Sequence, residues 1–272
     1  MSNSARVAII MSIYKSDSPE ALSIALESLL KQTYSCDIFL YRDGEISLDL
    51  EMVVERYKHL NAIYYFESDE NKGLAKALNF LIGKVIVTGY EYIARMDSDD
   101  VSKLDRIEQQ VEFLEENDTV DVCGSFCHEF GASYALEVKS LPLFHEDLLN
   151  FSVSRCPFIH PTVMFRASVF SEGCRYPEST VLTEDMALWF ALLEKGYKFA
   201  NLDKVLLDYR LTENTIFRRK GFRKALSEIA IRLRYMFLLN QISVKNTVLI
   251  LSRIVFHLLP SKVMKFAYKN AR

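Results

Sequence analysis

Short apolar runs alternate with segments of helical periodicity along the first half of the chain. The apolar runs predict four strands, over Arg6–Ile13, Asp37–Tyr41, Ala62–Phe66 and Glu91–Met96. A helix is expected after Ser18-Pro19, a pair typical of a helix start, because leucines and alanines recur at helical spacing from Leu22 to Leu30. Further helices are predicted over Leu48–Lys58 and Leu74–Ile82. Such alternation is typical of a parallel sheet covered by helices, here a nucleotide-binding half.

The pattern changes after Val101. An amphipathic helix is predicted over Lys103–Glu116, then a strand over Val120–Phe126, an extended piece near Tyr134–Val138 and mixed elements as far as Leu211. These elements fit the second part of one mixed α/β domain with antiparallel additions. From Gly221 onward the chain is predicted to be helical.

Size and composition limit the classes of protein that remain. A chain of 272 residues has room for one large catalytic domain or two modest ones, and its 50% hydrophobic content excludes disorder, collagen and disulfide scaffolds. Five scattered cysteines, with no signal peptide ahead of them, favour reduced thiols in the cytoplasm. Cys123-x3-Cys127-His128 could belong to a metal site, but no second ligand pair follows at zinc spacing, so core cysteines are the favoured interpretation.

The net charge of -3 conceals a division along the chain. Residues 218–272 contain 13 Lys or Arg and a single acid, Glu228, which gives +12. The residues before them contain 20 basic and 35 acidic side chains, or -15. An acidic body with a basic tail suggests that the two parts have different partners.

The strongest chemical signal is Asp97-Ser98-Asp99-Asp100, at the carboxyl end of the fourth predicted strand. Ligands of open parallel sheets bind at this edge. Three carboxylates so close together repel one another, and they normally persist because Mg²⁺ or Mn²⁺ lies between them and a phosphate. The motif therefore predicts a nucleotide diphosphate bound with a metal. The alternative is that Asp100 caps the next helix and the other acids are solvated.

Two further residues follow predicted strands. Asp43 precedes Gly44 and can accept the N–H of a pyrimidine ring or a ribose hydroxyl; an ordinary Asp-Gly turn is the alternative. Tyr14 ends the first strand and can stack on a base, or can be a tyrosine of the core. Neither G-x-G-x-x-G nor G-x-x-x-x-G-K-[ST] is present, which disfavours a dehydrogenase and leaves the phosphates to a metal and side chains.

Thr183-Glu184-Asp185 opens a predicted helix. Thr183 is a suitable N-cap, and acids in a first turn are favoured by the helix dipole. A catalytic role for Asp185 as general base is the other interpretation. Taken by itself, the motif favours capping.

Several motifs, taken together and in order, resemble family 2 of the glycosyltransferases, which has the GT-A fold. They are Val7–Tyr14, Leu26–Tyr34, Asp43-Gly44, Asn71–Asn79, Asp97-Ser98-Asp99-Asp100, His160-Pro161-Thr162 and Glu184-Asp185. Ordered motifs over this span are more specific than any single one. The expected architecture is a Rossmann-like mixed α/β sheet of GT-A type over residues 1–217, followed by a basic amphipathic helical tail over 218–272.

The resemblance implies inverting transfer of a sugar from a UDP-sugar, with Mg²⁺ or Mn²⁺ as cofactor. By position, Tyr14 and Asp43 would contact the uracil, and Asp97 the ribose. Asp97 and Asp99 would be the metal-binding pair. Asp185 would be the catalytic base.

The sequence departs from the family pattern at two positions that bear on base recognition. Arg42 stands where many members have a second acid, and Lys15 stands where asparagine is common. The Q-x-x-R-W motif and the transmembrane helices of processive synthases are missing, which favours transfer of a single sugar. The setting implied by resemblance is an O-antigen or capsule repeat. Glucose or galactose placed β-1,3 on the GlcNAc of a diphospho-undecaprenol lipid is the preferred reaction.

The basic tail is the predicted membrane contact. Asn246–Leu259 has no apolar run of about 18 residues and so does not span a bilayer. A polar stripe of Asn246, Arg253 and His257 on an otherwise apolar helix, with lysines beyond it, predicts an in-plane anchor on anionic lipid over residues 246–272. The protein would then lie peripherally on the inner face of the bacterial cell membrane. A helix packed on the catalytic domain or on a dimer partner is the alternative, and nucleic acid is disfavoured because no motif accompanies the charge.

Two pairs of residues remain open between function and structure. His160-Pro161 would line the acceptor site or belong to a structural loop, and Arg218 with Arg219 would reach a diphosphate or begin a solvated helix. Two other functions also stay open. A nucleotidyltransferase would need basic residues for a triphosphate early in the chain, and a catalytically silent glycan- or membrane-binding module would release no product.

Overall fold

The computed structural model describes residues 5–180, 183–214 and 222–258. One mixed sheet of eight strands, in the order β3-β2-β1-β4-β7-β6-β8-β5, organises them. Its first half consists of β1 (Val7–Ile13), α1 (Pro19–Leu30), β2 (Cys36–Asp43), α2 (Leu48–Tyr57), β3 (Ile63–Ser68), α3 (Leu74–Ile86) and β4 (Tyr92–Arg95). These four strands are parallel, as the sequence predicts.

The second half adds strands of both directions to the same sheet. Its elements are β5 (Val101–Ser102), α4 (Arg106–Glu116), β6 (Val122–Phe130), α5 (His145–Ser152), a 3₁₀ turn (His160–Thr162), β7 (Met164–Arg166), α6 (Ser168–Ser171), α7 (Glu184–Glu194), β8 (Phe199–Arg210), α8 (Phe222–Leu238) and α9 (Val244–Leu258). Strand β7 is antiparallel to both of its neighbours, and β5 is antiparallel to β8. The predicted mixed sheet with antiparallel additions is therefore confirmed.

Local sequence explains why the first βα unit forms as expected. The Ser18 hydroxyl accepts the backbone N–H of Ala21, and Pro19 occupies the first turn, where its missing N–H costs nothing. Leu22, Leu26 and neighbouring apolar side chains then pack on the sheet. Such packing of an apolar face, more than helix propensity, stabilises a helix in a folded protein.

The segment near Tyr134–Val138 differs from its prediction as a separate extended piece. It contributes no strand. It contacts β6 through bonds from Glu129 N–H to Leu136 O (2.9 Å) and from Leu136 N–H to Glu129 Oε2 (3.2 Å), and a bridge between Cys127 and Lys139 follows. The Tyr134 hydroxyl donates instead to Thr212 O at 2.8 Å. This bond to a distant part of the chain draws the segment out of regular pairing.

The cysteines agree with the core interpretation. Cys123 and Cys127 are buried on β6, and all five cysteines, which lie in the described part of the chain, are outside any disulfide. Burial raises the pKa of the Cys123 thiol to about 12, so this group is protonated near neutral pH, as expected of a cysteine in the core.

The carboxyl-terminal helices contact the body directly. The Phe190 ring of α7 stacks on the Tyr235 ring of α8, with centroids 4.8 Å apart. Arg232 of α8 donates to the carbonyl oxygens of Ser152 and Val153 at the end of α5. Over the described residues, no helix combines the length and the apolar character needed to cross a membrane.

Candidate active site

Three carboxylates meet where β4 ends. Asp97, Asp99 and Asp100 each offer an oxygen, and these oxygens all lie within 4.8 Å of one another. The cluster forms because the chain turns directly after β4 before it enters β5. Asp100 is fully buried, whereas Asp97 and Asp99 are half-buried and open to a ligand. The three acids of the motif are therefore close in space as well as in sequence.

The electrostatics of the cluster suit a hard divalent cation. Burial, and then the charge of Asp97, raise the pKa of Asp99 to about 6. The same two causes raise the pKa of Asp100 well above its ordinary value. Asp100 Oδ2 is buried and has no hydrogen-bond partner among the described residues. An all-oxygen set with excess negative charge matches the ligands that Mg²⁺ and Mn²⁺ prefer, so the residues fit such an ion.

Arg95, the last residue of β4, is a buried partner of this cluster that the sequence analysis missed. Its guanidinium forms an ion pair with the Asp97 carboxylate. Arg106 Nη2 donates to the backbone oxygen of Arg95 (2.8 Å), which fixes the end of the strand from below. The signal was present in the sequence, since an arginine inside an otherwise apolar strand needs a buried counter-charge.

Arg210, at the end of β8, is a second partner that the sequence analysis missed. Its backbone N–H donates to Asp100 Oδ1 (2.7 Å), and its Nε donates to the backbone oxygen of Asp99 (2.8 Å). Asp100 therefore ties β8 to the cluster and does not cap α4, whose N-cap is Asp105. The capping alternative for Asp100 is wrong.

Tyr14 and Asp17 bring the loop after β1 to the same place. The Tyr14 side chain is 36% exposed, as a stacking residue requires, and its backbone N–H donates to Asp17 Oδ2 at 3.0 Å. Burial raises the pKa of Asp17 to about 6, with smaller contributions from the charges of Asp99 and Asp97. Asp17 is thus a fourth acid near the cluster, and the sequence analysis missed it because nothing local marks it.

Asp43 lies at the end of β2 and organises the neighbouring loop. Its carboxylate oxygens accept the backbone N–H groups of Lys72 (2.7 Å) and Gly73 (2.8 Å), and only 3% of the residue is exposed. Gly44 has a φ of 88°, and a Cβ there would lie 2.8 Å from the backbone nitrogen of Asn71. The Asp43-Gly44 pair therefore allows the loops that follow β2 and β3 to pack closely together. Each carboxylate oxygen keeps a second lone pair for a ligand.

Asp185 lies in the first turn of α7 and is half-buried. Thr183 is at the N-cap position, as predicted, but its side chain makes no capping hydrogen bond. Burial is the main cause that raises the pKa of the Tyr176 hydroxyl; the charge of Arg95 lowers this pKa, and the charges of Asp185, Glu184 and Asp97 raise it further. Acids that follow β4 and acids of α7 are therefore both near enough to act on the Tyr176 hydroxyl.

His160 lies beneath this region. Its Nε2 is 2.8 Å from the Tyr176 hydroxyl, and its ring is 5.8 Å from that of Trp189. Burial, and then the nearby positive charge of Arg95, lower the pKa of His160 well below its ordinary value. The imidazole is therefore neutral and supports Tyr176. The predicted Arg218 and Arg219 lie outside the described residues.

Comparison with known proteins gives a consistent result. The model of the family described as Glycosyl transferase family 2 matches residues 8–173. UDP-Gal:alpha-D-GlcNAc-diphosphoundecaprenol beta-1,3-galactosyltransferase of Escherichia coli is 32% identical over 269 residues, which cover 97% of this chain and 96% of that protein. Amylovoran biosynthesis glycosyltransferase AmsE of Erwinia amylovora is 31% identical, with 97% and 98% covered.

Two solved structures show the fold. S. aureus TarS 1-349 in complex with UDP-GlcNAc has a TM-score of 0.64 at 16% identity, over 93% of this chain and 72% of that one. The mannosyltransferase PcManGT from Pyrobaculum calidifontis, in complex with GDP-Man and Mn²⁺, has a TM-score of 0.60 at 15% identity, over 97% and 85%. The expected GT-A fold is confirmed.

Proposed function

Since the chain belongs to glycosyl transferase family 2, we propose that it moves one hexose from a UDP-sugar to a lipid-linked saccharide acceptor, with inversion at the anomeric carbon. The protein is a hexosyltransferase. The observation that carries the finer proposal is the cluster of Asp97, Asp99 and Asp100, whose mutual repulsion is best relieved by a cation bound with a diphosphate.

Asp97 and Asp99 are the residues we assign to the divalent cation, Mn²⁺ or Mg²⁺. Both carboxylates are half-buried, and Asp100 lies behind them. When bound, such an ion acts as a Lewis acid that stabilises charge on the departing diphosphate. Arg95 and Arg210 hold the acids in place from two sides, so the donor groups are oriented before any ligand arrives.

The UDP part of the donor is assigned to residues at the ends of β1, β2 and β4. The exposed Tyr14 ring offers a stacking surface for uracil, and the free lone pairs of Asp43 can accept its N–H. Asp97 accepts a ribose hydroxyl. Glucose or galactose is the preferred sugar, and galactose is favoured by the name of the Escherichia coli relative.

Asp185 is assigned the role of general base. Its carboxylate takes the proton of the acceptor hydroxyl while that oxygen forms a bond to the anomeric carbon. The bond between this carbon and the β-phosphate oxygen breaks on the opposite face, and UDP leaves with the electron pair. Attack in line with the leaving group inverts the configuration, which gives a β-linked product from an α-linked donor.

The acceptor is proposed to be GlcNAc-diphospho-undecaprenol or a related lipid of O-antigen, lipopolysaccharide or capsule synthesis. Support comes from the Escherichia coli relative, whose name contains that acceptor, and from similarity over almost the whole of both chains. We assign residues 1–217 to catalysis and residues 218–272 to contact with the membrane. The enzyme would then work as a peripheral protein on the cytoplasmic face.

A direct assay tests the proposal. The purified chain is incubated with UDP-glucose, UDP-galactose and their N-acetyl forms, with a GlcNAc-diphospholipid, and with Mn²⁺, Mg²⁺ or a chelator. Expected products are UDP and a lipid lengthened by one β-linked hexose, formed only with a divalent cation. Release of pyrophosphate would indicate a nucleotidyltransferase instead, and no release of any product would indicate a silent binding module.

A further inference from the structure

The helices α8 and α9 form a hairpin that is fixed to the body along one side. Ile229 and Met236 of α8 share a small core with Val153 of the body and Ile250 of α9. Arg232 is almost fully buried, donates to the carboxyl end of α5 and pairs with Glu228 at 2.9 Å. A buried guanidinium with these partners ties the hairpin to the catalytic body.

The turn of the hairpin and the outer face of α9 expose apolar side chains to solvent. Six side chains of the helix ends and of α9 are between 47% and 83% exposed, and together we call them the apolar tip: Phe237, Leu238, Ile242, Val244, Val248 and Leu251. The turn between the helices is tight, because the backbone N–H of Gln241 donates to Met236 O. Exposed large apolar side chains gathered on one element mark a surface that binds a partner or a membrane.

The structure shows which face of α9 meets the protein. Asn246, placed on the polar stripe, donates from its side chain to Gln241 O, and Ile250 on the same face is fully buried. That face therefore packs towards α8. Val244, Val248 and Leu251, one and two turns apart, point away from the protein. The side chains of Arg253 and His257 lie outside the described part.

The charges that the hairpin itself brings to the apolar tip are positive, although Asp147 of α5 borders the cavity that Ile242 and Lys245 also line. Glu228 is the single acid of residues 218–272, and Arg232 neutralises it in the interior. Arg234 and Lys245 are exposed beside the tip, and residues 218–272 carry +12 as a whole. Apolar side chains bordered by cations match an anionic bilayer surface, where the apolar groups enter the acyl boundary and the cations meet lipid phosphates.

We propose that the apolar tip docks the enzyme on anionic phospholipid, with α9 in the plane of the interface. This inference rests on the proposed function in one respect, that the acceptor is carried by a lipid. It places the membrane contact on the hairpin turn and the outer face of α9. Because Arg232 and Tyr235 lock the hairpin to α5 and α7, the active site is held in a fixed orientation towards the bilayer.

The test uses the full chain, vesicles of phosphatidylcholine with or without phosphatidylglycerol, and two triple variants. The tip variant is Ile242→Ser, Val244→Ser and Val248→Ser. The matched control replaces three residues of similar exposure on the body, Leu48→Ser, Met52→Ser and Val87→Ser. Co-sedimentation measures binding, circular dichroism confirms folding, and transfer is measured with a water-soluble short-chain GlcNAc-diphosphate acceptor and with the long-chain lipid in vesicles.

We expect the wild type and the control variant to bind the anionic vesicles and not the neutral ones. The vesicle affinity of the tip variant should fall at least about tenfold, because three apolar side chains that would be buried in the bilayer are replaced by polar ones. It should keep its turnover of the soluble acceptor and lose turnover of the vesicle-borne lipid. Vesicle binding without transfer to any acceptor would reject the proposed function alone.

Other outcomes would overturn the inference. Equal vesicle binding by the wild type and the tip variant would exclude the tip as the docking surface. Absence of vesicle binding by the wild type would also exclude membrane docking. If light scattering then detected a dimer only in the chains with an intact tip, the tip would bind a second copy of the chain.

Discussion

The guanidinium of Arg95 forms an ion pair with the carboxylate of Asp97 where β4 runs into the acid cluster. Arg95 is 2% exposed, and its Nε and Nη1 are buried without a hydrogen-bond partner among the described residues. The buried Arg95 cation thus fixes the position of the Asp97 carboxylate and offsets part of its charge. The Asp97 carboxylate is partly exposed and can still bind a ligand. The Arg95–Asp97 pair therefore contributes both to the stability of the sheet and to the geometry of the proposed metal site.

Replacing Arg95 should therefore affect stability and metal binding together. Arg95→Met leaves the Asp97 charge without its partner and should lower the free energy of unfolding, by less than the about 3–5 kcal/mol of a fully buried pair because the Asp97 side chain is 33% exposed. Arg95→Lys keeps the charge and should cost less. Urea unfolding with and without Mn²⁺ measures both effects, and the added ion should recover part of the loss in Arg95→Met. Equal unfolding free energies for Arg95→Met and the wild type would contradict the role of the pair.

Asp43→Asn should loosen the loop that faces the donor. An amide has one acceptor oxygen, so one of the N–H groups of Lys72 and Gly73 loses its partner in a buried place, at a cost of about 1–3 kcal/mol. The KM for the UDP-sugar should rise more than kcat falls. Asp49→Asn, in the first turn of the nearby α2, is the control and should leave both constants unchanged. A change in kcat alone would argue against a role in donor binding.

The strands, the first helix and the acid cluster could be predicted because their signals are local. A buried parallel strand is a continuous apolar run, and Asp97, Asp99 and Asp100 are neighbours in the chain. The contribution of Arg210 could not be predicted, since it bonds to Asp100 across 110 residues of sequence. Only the pairing of β5 with β8 brings the two together.

The orientation of α9 shows a second limit of sequence patterns. A helix that is apolar on most of its surface does not reveal which side meets the protein. The Asn246 side chain finds its acceptor in the tight turn before α9, so a polar residue lies on the packed side. Hydrophobic periodicity predicted the helix, but tertiary contacts decide which face of the helix packs against the protein.

Asp185→Asn tests the assignment of the base. The amide keeps the size and position of the side chain but cannot take the proton, so transfer should fall by roughly 10²- to 10⁴-fold. Calorimetry should show unchanged affinity for UDP. Glu184→Gln, in the same first turn of α7, is the matched control and should lose much less. If Asp185→Asn retained near-normal turnover, the base would have to be another group.

His160 predicts how the stability of the protein depends on pH. Its pKa is lowered well below the ordinary value in the folded state, so the folded protein binds fewer protons than the unfolded chain below about pH 6.5. Stability must then fall as the pH drops through this range, by up to about 1.4 kcal/mol per pH unit.

In His160→Gln, which can still bond to the Tyr176 hydroxyl, this part of the pH dependence should disappear. Urea unfolding of the wild type and of His160→Gln between about pH 5 and pH 7.5 measures the difference in slope. A slope in His160→Gln equal to that of the wild type would mean that the imidazole takes up its proton equally well in the folded and the unfolded chain. Burial beside Arg95 would then not keep the imidazole of His160 neutral.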